Sequence, residues 1–512
     1  MTELPPTRPE LLVVGGGIAG MLAARRAAAR GVRVLLLEAT DQLGGMIRRA
    51  QLGDLPIDIG AEAFATRGGA FAALLQELDM LDEVVEPRAL GSWVVTDEAA
   101  APMPAGGLLG IPGEAALLDP TSRAAVHAAI GDDGIAELER DKGLDAAIGA
   151  DEVDLESLVL ARMGPTVLGR LVAPVTRGVY SLDPAELDHR VLIPGLATRL
   201  REQGSLAGAV AALRLNAPPG AAVRTVAGGM HRVIARLERE LDEFGVEVRV
   251  SAPVRSIEAL PGERQAEPQP LASRPADAQH SARGCARWRV ELTDGEVVLA
   301  GQVLSTVDIP RTGTPDASVS SVSSAPSESS APSESGAVSV PAEVVALLVS
   351  TPALDASPRG TGVLVGEPST SIRAKALTHV TAKWPWQETA AGEGMHVLRL
   401  SYGPDVRGGA EPLTRGLDDE QVRELACSDA SRLLGTPVTP GDVVALARHV
   451  WRIPAPAARL GRTEVLKGAR DAAQAAAGLA LAGTWIDGTG LASVVPGVFR
   501  AIDELFPDDA QA

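Results

Sequence analysis

Cysteine and aromatic residues are nearly absent from this sequence of 512 residues. Only two cysteines occur, Cys285 and Cys427, which excludes a disulfide framework and a cysteine-based metal cluster. Phe, Trp and Tyr together make up 3% of the chain, so stacking platforms for nucleic-acid bases are not expected. Acidic residues outnumber basic ones by 66 to 47, and the net charge of −19 repels phosphate backbones. The composition predicts neither a nucleic-acid partner nor a metal site.

Long apolar runs and a secretion-type N-terminus are also missing. The sequence begins with the polar, proline-rich stretch MTELPPTRPE, in which no basic region leads into an apolar one. Apolar stretches are interrupted by Gly, Arg or Asp before they reach the roughly 20 residues that a membrane span needs. We therefore expect a cytoplasmic protein without transmembrane anchoring, and leave a peripheral membrane contact open. The length is sufficient for two or three domains.

The first ordered segment predicts a βαβ unit. A strand-length apolar run, a glycine-rich turn, a helix of small residues and a second apolar run occupy residues 11–37. Gly15, Gly17 and Gly20 stand between the first strand and the helix, and Glu38 follows the second strand, a pattern typical of dinucleotide binding. The glycines allow a tight turn and a close approach of pyrophosphate to the helix N-terminus, while the acid binds ribose hydroxyls. The alternative is a glycine-rich turn with a purely structural role.

Two further glycine-rich segments favour a flavin over a nicotinamide cofactor. Residues 41–48 place Gly44, Gly45 and Arg48 just beyond the second strand, where a loop can reach back to a diphosphate. Residues 479–490 combine a strand-like run with a glycine-rich turn that opens an apolar helix. The N-terminus of that helix offers amides and a positive dipole end to the pyrimidine side of a flavin. An ordinary loop and a strand–turn–helix that only packs are the alternatives.

Most of the chain resembles a known group of flavoproteins. The motifs VVGGGIAG, LGGMIR and IDIGAEAF near the start, and LAGTWIDGTGLASVVPGV near the end, resemble the flavin amine oxidase superfamily. That superfamily includes amine oxidases, phytoene desaturases and porphyrinogen oxidases. Three internal stretches, residues 101–112, 174–184 and 375–385, resemble its bacterial protoporphyrinogen and coproporphyrinogen III oxidases.

The resemblance implies an α/β fold with three interleaved parts. A Rossmann-like FAD-binding domain of the amine oxidase type is expected at 8–85, 221–309 and 470–512. A mixed-sheet substrate domain is expected at 86–110, 196–220 and 342–469, and a helical domain at 111–195. Two Pro-, Ser- and Ala-rich stretches are expected to be flexible surface insertions, at 258–287 and 310–341.

The resemblance also implies that FAD is the cofactor. No cysteine lies in the segment 483–497, so the FAD is expected to be bound non-covalently. In the family, backbone near the position of Val254 contacts the adenine. The residues expected to bind FAD are Gly15, Gly17, Ile18, Ala19, Gly20, Glu38, Ala39, Gly44, Gly45, Met46, Arg48, Gly60, Ala61, Val254, Trp485, Gly488, Leu491, Val494 and Val495.

A porphyrinogen carries anionic propionates, which a chain of net charge −19 would repel unless the cavity mouth is locally basic. Arg67, Arg177 and Lys383 are the candidates for this role. Each of them could instead be an ordinary solvated cation. No catalytic acid or base is expected, because the pyrrole lone pairs stabilise the cation that hydride loss leaves and the flavin carries the chemistry.

Three short segments differ from the family pattern. Gly68 and Gly69 stand where bacterial relatives often have lysines, residues 454–456 read Pro-Ala-Pro instead of Pro-Gln-Tyr, and Gly461 is followed by Arg462 instead of His. The expected function is the oxygen-dependent oxidation of coproporphyrinogen III in heme biosynthesis, with hydride transfer to flavin N5 and release of hydrogen peroxide. A protoporphyrinogen IX oxidase, an amine oxidase and a non-catalytic flavoprotein partner of the heme pathway remain as alternatives. The chain contains only two tyrosines, which counts against the amine oxidase, because that enzyme would need an aromatic cage around the flavin.

Overall fold

The computed structural model describes residues 8–114, 119–215, 223–260, 287–309, 311–312, 339–367, 369–404 and 411–507. The strands are, in chain order, β1 Leu11–Val14, β2 Val34–Leu37, β3 Arg49–Leu52, β4 Leu55–Asp58, β5 Phe64–Ala65, β6 Val84–Val85, β7 Trp93–Val95, β8 Ala100–Pro102, β9 Val223–Val226, β10 Glu247–Arg249, β11 Val254–Ala259, β12 Trp288–Leu292, β13 Val297–Ala300, β14 Gln302–Ser305, β15 Arg311–Thr312, β16 Ser339–Ser350, β17 Gly362–Val365, β18 Ala376–His379, β19 Met395–Tyr402, β20 Val443–Pro454 and β21 Leu479–Leu481. The α-helices are α1 Ile18–Ala28, α2 Ala70–Glu77, α3 Pro120–Arg140, α4 Leu155–Val167, α5 Ala173–Tyr180, α6 His189–Leu192, α7 Leu196–Gln203, α8 Leu206–Leu215, α9 His231–Glu243, α10 Val380–Lys383, α11 Pro385–Ala391, α12 Asp419–Leu434, α13 Arg462–Ala475, α14 Thr484–Asp487 and α15 Leu491–Leu505.

The N-terminal glycine turn follows a strand of a five-stranded parallel sheet, whose order is β10-β2-β1-β14-β21. Strands β1 and β2 are buried on both faces, which explains why both are continuous apolar runs. Leu11 and Val13 pack with helices α1, α9 and α15, whereas Leu12 and Val14 pack against strands β11–β13. The carboxyl ends of all five strands meet at one edge, where a doubly wound sheet binds its ligand. This arrangement confirms the predicted α/β fold.

A seven-stranded mixed sheet has the order β20-β16-β19-β18-β17-β7-β8. Strands β17 and β7 are parallel, and the other neighbours are antiparallel. Leu398 and Leu400 of β19 pack against α12, while the alternate residue Val397 packs against the hairpin β3–β4. Arg399, on the same face as Val397, donates a hydrogen bond to the carbonyl of Gly60 at 2.6 Å. One face of this sheet therefore looks toward the glycine-rich loops.

Helices α3–α8 form an all-helical part. Helix α4 begins at a side-chain cap, because the Asp154 carboxylate accepts a hydrogen bond from the amide of Ser157 at 2.7 Å. Helices α7 and α8 lie in the stretch 196–220 that is expected to belong to the substrate domain. Their apolar residues pack into the same core as α4, together with Val94 and Val340 of the mixed sheet, and the domain bounds stay a prediction.

One helical run in the described part of the chain, Leu155–Tyr180, is long and apolar enough to cross a membrane by length and composition alone. It includes α4, a π-helical turn and α5. Of its most apolar window, 61% is buried inside the protein, as in the core helix of a bundle. The absence of a membrane anchor stays a prediction.

The two insertions predicted from composition are narrower than their expected bounds. Strand β11 continues to Ala259, within the expected 258–287, because its last residues pair with β12. Strand β16 begins at Ser339, within the expected 310–341, because it pairs with the end of β20. Residues 261–286 and 313–338 lie outside the described residues, as does Cys285, whereas Cys427 is buried in α12.

A buried chain of hydrogen bonds in the mixed sheet predicts acid sensitivity. His379 is fully buried, its Nε2 lies 3.1 Å from Nδ1 of His396, and Nε2 of His396 lies 3.0 Å from the Asp355 carboxylate. Burial, together with the neighbouring His396, lowers the pKa of His379 from 6.5 to about 3. Between these values the unfolded chain binds a proton that the folded chain does not, so stability falls by up to roughly 1.4 kcal/mol per pH unit as the pH drops below 6.5.

The measurement is the thermal midpoint of unfolding between pH 7 and pH 4.5 for the native protein and for His379→Gln. We expect the midpoint of the variant to fall less steeply with acid, because the titrating group is gone. His127, an exposed histidine paired with Asp132, provides the control variant His127→Gln, for which the native slope is expected. Equal slopes for all three proteins would show that His379 does not titrate in this range.

Candidate active site

A carboxylate at the end of β2 holds the glycine turn after β1. Gly15 has a φ of +99°, which L side chains rarely adopt, and the amide of Gly16 donates to Oε2 of Glu38 at 2.6 Å. Oε1 of Glu38 accepts from the amide and the hydroxyl of Thr40 at 2.7 and 2.8 Å. Oε2 keeps a lone pair for a further donor, so Glu38 fits its predicted role toward a ribose hydroxyl.

The N-terminus of α1 opens onto this turn. Gly17 is its N-cap, no described side chain caps it, and the first amides, beginning with Ile18, have no partner within the helix. A Cβ at Gly17 would meet nothing closer than Cα of Gly45 at 3.7 Å. The helix end is therefore approachable, and its free amides and positive dipole end fit a pyrophosphate.

The segment Gly44–Met46 connects the first turn to the loop Gly60–Ala61. The amide of Gly44 donates to the carbonyl of Gly16 at 2.9 Å, and the carbonyl of Met46 accepts from the amide of Ala61 at 2.8 Å. A Cβ at Gly60 would collide with that carbonyl. Backbone hydrogen bonds thus connect three loops that were predicted to lie at one site: the turn after β1, Gly44–Met46 and Gly60–Ala61.

The C-terminal turn lies at the same edge of the parallel sheet. Gly483 has a φ of +96°, and a Cβ there would lie 3.3 Å from Cβ of Ala19 in α1. Trp485, in the short helix that follows, is buried with Leu466 of α13. Gly483 therefore lies beside the start of α1, and the contact of Trp485 with the cofactor stays a prediction.

Helix α15 presents a second free N-terminus. Gly488 precedes it with a φ of +101°, and no described side chain caps its start at Leu491. Val494 and Val495 are buried in the core beside α1, and the amide of Val494 already donates to the carbonyl of Gly490 at 3.0 Å. Gly488 and Leu491 lie at the helix start that fits the predicted pyrimidine ring, whereas contacts of Val494 and Val495 with the cofactor stay a prediction.

Strand β11 lies beside the acid of β2. The amide of Ala252 donates to the carbonyl of Glu38 at 2.8 Å, which fixes the chain that enters β11 at Val254. Ala39 is exposed next to it. Val254 and Ala39 are thus placed where the adenosine end of a dinucleotide would extend from Glu38.

Arg48 lies in the second glycine segment, but its guanidinium is not free. Its Nη2 is 3.4 Å from the carboxylate of Asp41 in the same loop. The predicted charge toward a diphosphate is therefore partly compensated by an exposed aspartate. Such an exposed pair is weak and can rearrange when a stronger anion binds.

Lys383 is predicted to hold a substrate propionate, and this role stays a prediction, because in the structure its ammonium pairs with a carboxylate of the chain. Its Nζ donates to Glu62 at 2.7 Å, and Nη1 of Arg399 donates to the other oxygen of Glu62 at 2.7 Å. Burial alone would raise the pKa of Glu62, but the charges and hydrogen bonds of Lys383 and Arg399 lower it to about 2. The ammonium of Lys383 thus has a carboxylate partner within the chain. The Glu62–Lys383–Arg399 triad supports the loop of Gly60, because Arg399 donates to the carbonyl of Gly60.

Arg177 also has acidic partners in the chain. Its guanidinium makes ion pairs with Asp183, which follows α5, and with Glu367, which follows β17. Arg177 therefore joins the helical part to the mixed sheet, and its role toward a propionate stays a prediction. Arg67 is different, because it is exposed and has no ion pair among the described residues. Burial raises the pKa of Tyr180, and the positive charge of Arg67 opposes this by lowering it. Arg67 remains a candidate.

Two cations were missed as site residues. Lys375 is largely shielded from solvent, and its Nζ donates to the hydroxyl of Ser181 at 2.8 Å. Arg462 is 6% exposed and donates to the carbonyl of Trp485 at 3.2 Å, while its Nε has no partner in the described part of the chain. The sequence signal for Arg462 is the replacement of His by Arg, and Lys375 begins the stretch 375–385 that resembles the oxidase family, but neither signal indicates that the cation is buried.

Across the described ranges, no group of three or more His, Cys, Asp or Glu side chains is arranged to hold a metal ion. The groups that converge are backbone amides of two helix ends, glycine turns and one ribose-type acid. Together with the parallel sheet, they define a flavoprotein-type α/β protein whose cofactor site lies at the carboxyl edge of the sheet.

Comparison with known proteins identifies the family. Residues 18–501 match the flavin containing amine oxidoreductases. The coproporphyrinogen III oxidase of Mycobacterium bovis is 30% identical over 96% of both chains. The chain therefore belongs to the flavin containing amine oxidoreductases and, within them, to the family of the coproporphyrinogen III oxidases, as the resemblance implied; it is a flavin-dependent oxidase.

Solved structures show the same fold. A candidate protoporphyrinogen oxidase from Exiguobacterium sp. 255-15 matches with a TM-score of 0.73, 19% identity and coverage of 98% of this chain and 99% of that chain. A putrescine oxidase variant matches with a TM-score of 0.59, 13% identity and coverage of 98% and 99%. At these identities the likeness concerns the fold alone.

Proposed function

We propose that the protein oxidises coproporphyrinogen III to coproporphyrin III in the cytoplasm, as a step of heme biosynthesis, with non-covalently bound FAD. The observation that carries the proposal is the group of free helix ends and glycine loops at the edge of the parallel sheet, in a chain whose full-length relatives are named coproporphyrinogen III oxidases. FAD is favoured over a mononucleotide because Glu38 and Val254 provide for an adenosine end beyond the pyrophosphate.

Bound FAD supplies at N5 the acceptor for hydride from the macrocycle, in three two-electron rounds. The balanced reaction converts one coproporphyrinogen III and three dioxygen molecules into one coproporphyrin III and three hydrogen peroxide molecules. The pyrrole nitrogens carry the positive charge left on the macrocycle. Over the three rounds the macrocycle loses three hydrides from meso carbons and three protons, two from pyrrole nitrogens and one from the fourth meso carbon. No side chain of this protein needs to act as a strong base.

The residues of the chain have positioning roles. The amides at the start of α1 would hold the diphosphate of the cofactor, Glu38 would hold its ribose, and the start of α15 would offer amides to its pyrimidine ring. The Glu62–Lys383–Arg399 triad fixes Gly60 and so the face of the site toward the mixed sheet. A macrocycle bound between that sheet face and α5 would be held near the flavin and shielded from water.

The test is anaerobic mixing of the purified yellow protein with coproporphyrinogen III. We expect the visible absorption of the oxidised flavin to bleach, and to return with hydrogen peroxide on admission of air. Protoporphyrinogen IX should bleach it more slowly, and putrescine should not bleach it. FAD rather than FMN should be released on denaturation.

The outcomes separate the alternatives. Faster reduction by protoporphyrinogen IX would make that compound the substrate, and reduction by an amine alone would make the protein an amine oxidase. A flavin that no donor reduces would indicate a non-catalytic partner. Recovery of the flavin only with an artificial acceptor, and not with air, would contradict the use of dioxygen.

A further inference from the structure

Lys375 joins the mixed sheet to the end of the helical part. Its amide donates to the carbonyl of Ser401 in β19 at 2.7 Å, and its Nζ donates to the hydroxyl of Ser181 at 2.8 Å. Ser181 follows α5 with a φ of +57°, a strained conformation for a residue that is not glycine. The ammonium therefore lies in the crevice between α5 and the sheet.

The charge of Lys375 is not compensated. In the described ranges no carboxylate lies within ion-pair distance of its Nζ, whereas Lys383, Arg177 and Arg399 all have acidic partners. Burial lowers the pKa of Lys375 from 10.5 to about 8, so the group is still mostly protonated near pH 7. A buried cation with only a hydroxyl partner is costly and is expected to be stabilised by an anion.

The position of Lys375 fits an anion bound at the end of the mixed sheet that lies farther from the Gly60 loop. A Cβ at Gly403 would lie 2.9 Å from Cδ and 3.1 Å from Nζ of Lys375, so the lysine side chain occupies the space that this glycine leaves. Gly403 continues the alternation Arg399, Ser401 on the face that looks toward the glycine loops. Four residues separate Arg399, which touches the Gly60 loop, from Gly403, a distance of about 13 Å along a strand.

We propose that the ammonium of Lys375 and the hydroxyl of Ser181 form a carboxylate subsite that binds one propionate of the tetrapyrrole. The subsite rests on the proposed function, since it requires a polycarboxylate macrocycle that reaches from the flavin to the far end of the sheet. The lysine donates a charge-assisted hydrogen bond, and the serine hydroxyl donates a second one while it accepts from the lysine. Arg67, exposed near Tyr180, is available to a second propionate.

The experiment measures binding of coproporphyrin III, the stable reaction product, to the flavin-loaded protein by the quenching of porphyrin fluorescence. Lys375→Met is expected to raise the Kd by about ten- to a hundredfold, because a hydrogen bond between charged groups is lost. Lys375→Arg should restore binding to within a few-fold. The tetramethyl ester of coproporphyrin, which has no carboxylate, should bind the native protein and Lys375→Met equally.

Two further variants control for folding. Lys467→Met changes an exposed lysine of α13 that pairs with Asp471, and should leave the Kd unchanged. Ser181→Gly suits the φ of +57° and removes only the hydroxyl, so it should raise the Kd a few-fold even if Lys375→Met folds poorly.

The failure of this inference is distinguishable from failure of the proposed function. If the native protein binds coproporphyrin III while Lys375→Met and Ser181→Gly bind it as tightly, the subsite is wrong and the function stands. An equal loss of affinity for the acid and for the ester would show a structural role of Lys375. If the native protein neither binds coproporphyrin III nor is reduced by any porphyrinogen, both proposals are wrong.

Discussion

Replacement of Glu62 by leucine is expected to destabilise the folded protein by about 3–5 kcal/mol, because it leaves two largely buried cations without their shared counter-charge. Lys383 and Arg399 each donate to a different oxygen of Glu62 at 2.7 Å. Their side chains are only 18% and 12% exposed, so water screens their mutual repulsion poorly. Arg399 also holds the carbonyl of Gly60, so flavin should be lost together with stability.

The measurement is the midpoint of denaturant unfolding, followed by intrinsic fluorescence and by flavin release. Glu86→Leu is the matched control, since Glu86 forms an exposed ion pair with Arg224 and its loss should cost about 1 kcal/mol or less. An equal effect of the two variants would contradict the structural role of the triad.

The charge of Glu62 also sets a pH window. Its folded pKa of about 2 lies below the ordinary 4.5, so the stabilisation is fully present above pH 4.5 and is lost as the pH falls toward 2. Glu62→Gln should remove this dependence while it keeps one hydrogen-bond acceptor. His379 affects stability between pH 6.5 and about 3, and most of that range lies above the window of Glu62, so the two contributions to stability can be separated.

The parts of the fold that sequence predicts well are local. The turn between β1 and α1 and the acid after β2 belong to one βαβ unit, in which Gly16 and Glu38 lie 22 positions apart and spacing has a direct geometric meaning. The sequence also joined Gly44–Met46 and Gly60–Ala61 to the same site, because their resemblance to a flavoprotein family carries long-range information that the residues alone lack.

The ion pairs of Lys383 and Arg177 show what sequence alone does not predict. Lys383 and Glu62 are 321 positions apart, and Arg177 and Glu367 are 190 apart, so no local pattern reveals that these charges are paired. A lysine near a family motif looks the same in sequence whether its partner is a carboxylate of the protein or of a substrate. The structure distinguishes them through the partners, which is also how it singles out Lys375.

Packing partners explain the other differences. Helices α7 and α8 have the same amphipathic spacing whether they cover a sheet or join a bundle, and only the contacts place them with α4. The missed Arg462 is buried against Trp485 from a different part of the chain. Periodicity predicts which face of an element is buried, but not the element that buries it.

Gly17 and Gly20, three positions apart at the start of α1, should respond to alanine in different ways, and Gly20→Ala has the larger expected effect. A Cβ at Gly20 would collide with the carbonyl oxygen of Gly15, so α1 must move away from the turn. Overpacking of this kind typically costs about 1–3 kcal/mol, and occasionally more when the clash is with backbone. Because the turn itself shifts, we expect Gly20→Ala to lose both stability and flavin.

Gly17→Ala should separate these two properties. Gly17 has a φ of −66°, which alanine adopts without strain, and its Cβ would meet Gly45 at an ordinary 3.7 Å. The stability without cofactor should therefore be native, but the added methyl group lies where the pyrophosphate approaches the helix end, so the Kd for FAD should rise at least tenfold.

The measurement compares thermal midpoints of the flavin-free proteins with FAD affinity by titration. Gly468→Ala is the control, because Gly468 lies in α13 with open space around it, and alanine there should raise stability by up to about 1 kcal/mol with no effect on FAD. If Gly17→Ala binds FAD as the native protein does, the pyrophosphate does not lie at the start of α1, and Glu38 loses its assigned ribose as well. If Gly20→Ala is as stable as Gly468→Ala, the close contact of α1 with the turn is not what fixes the site, because the helix can then retreat from β1 without cost.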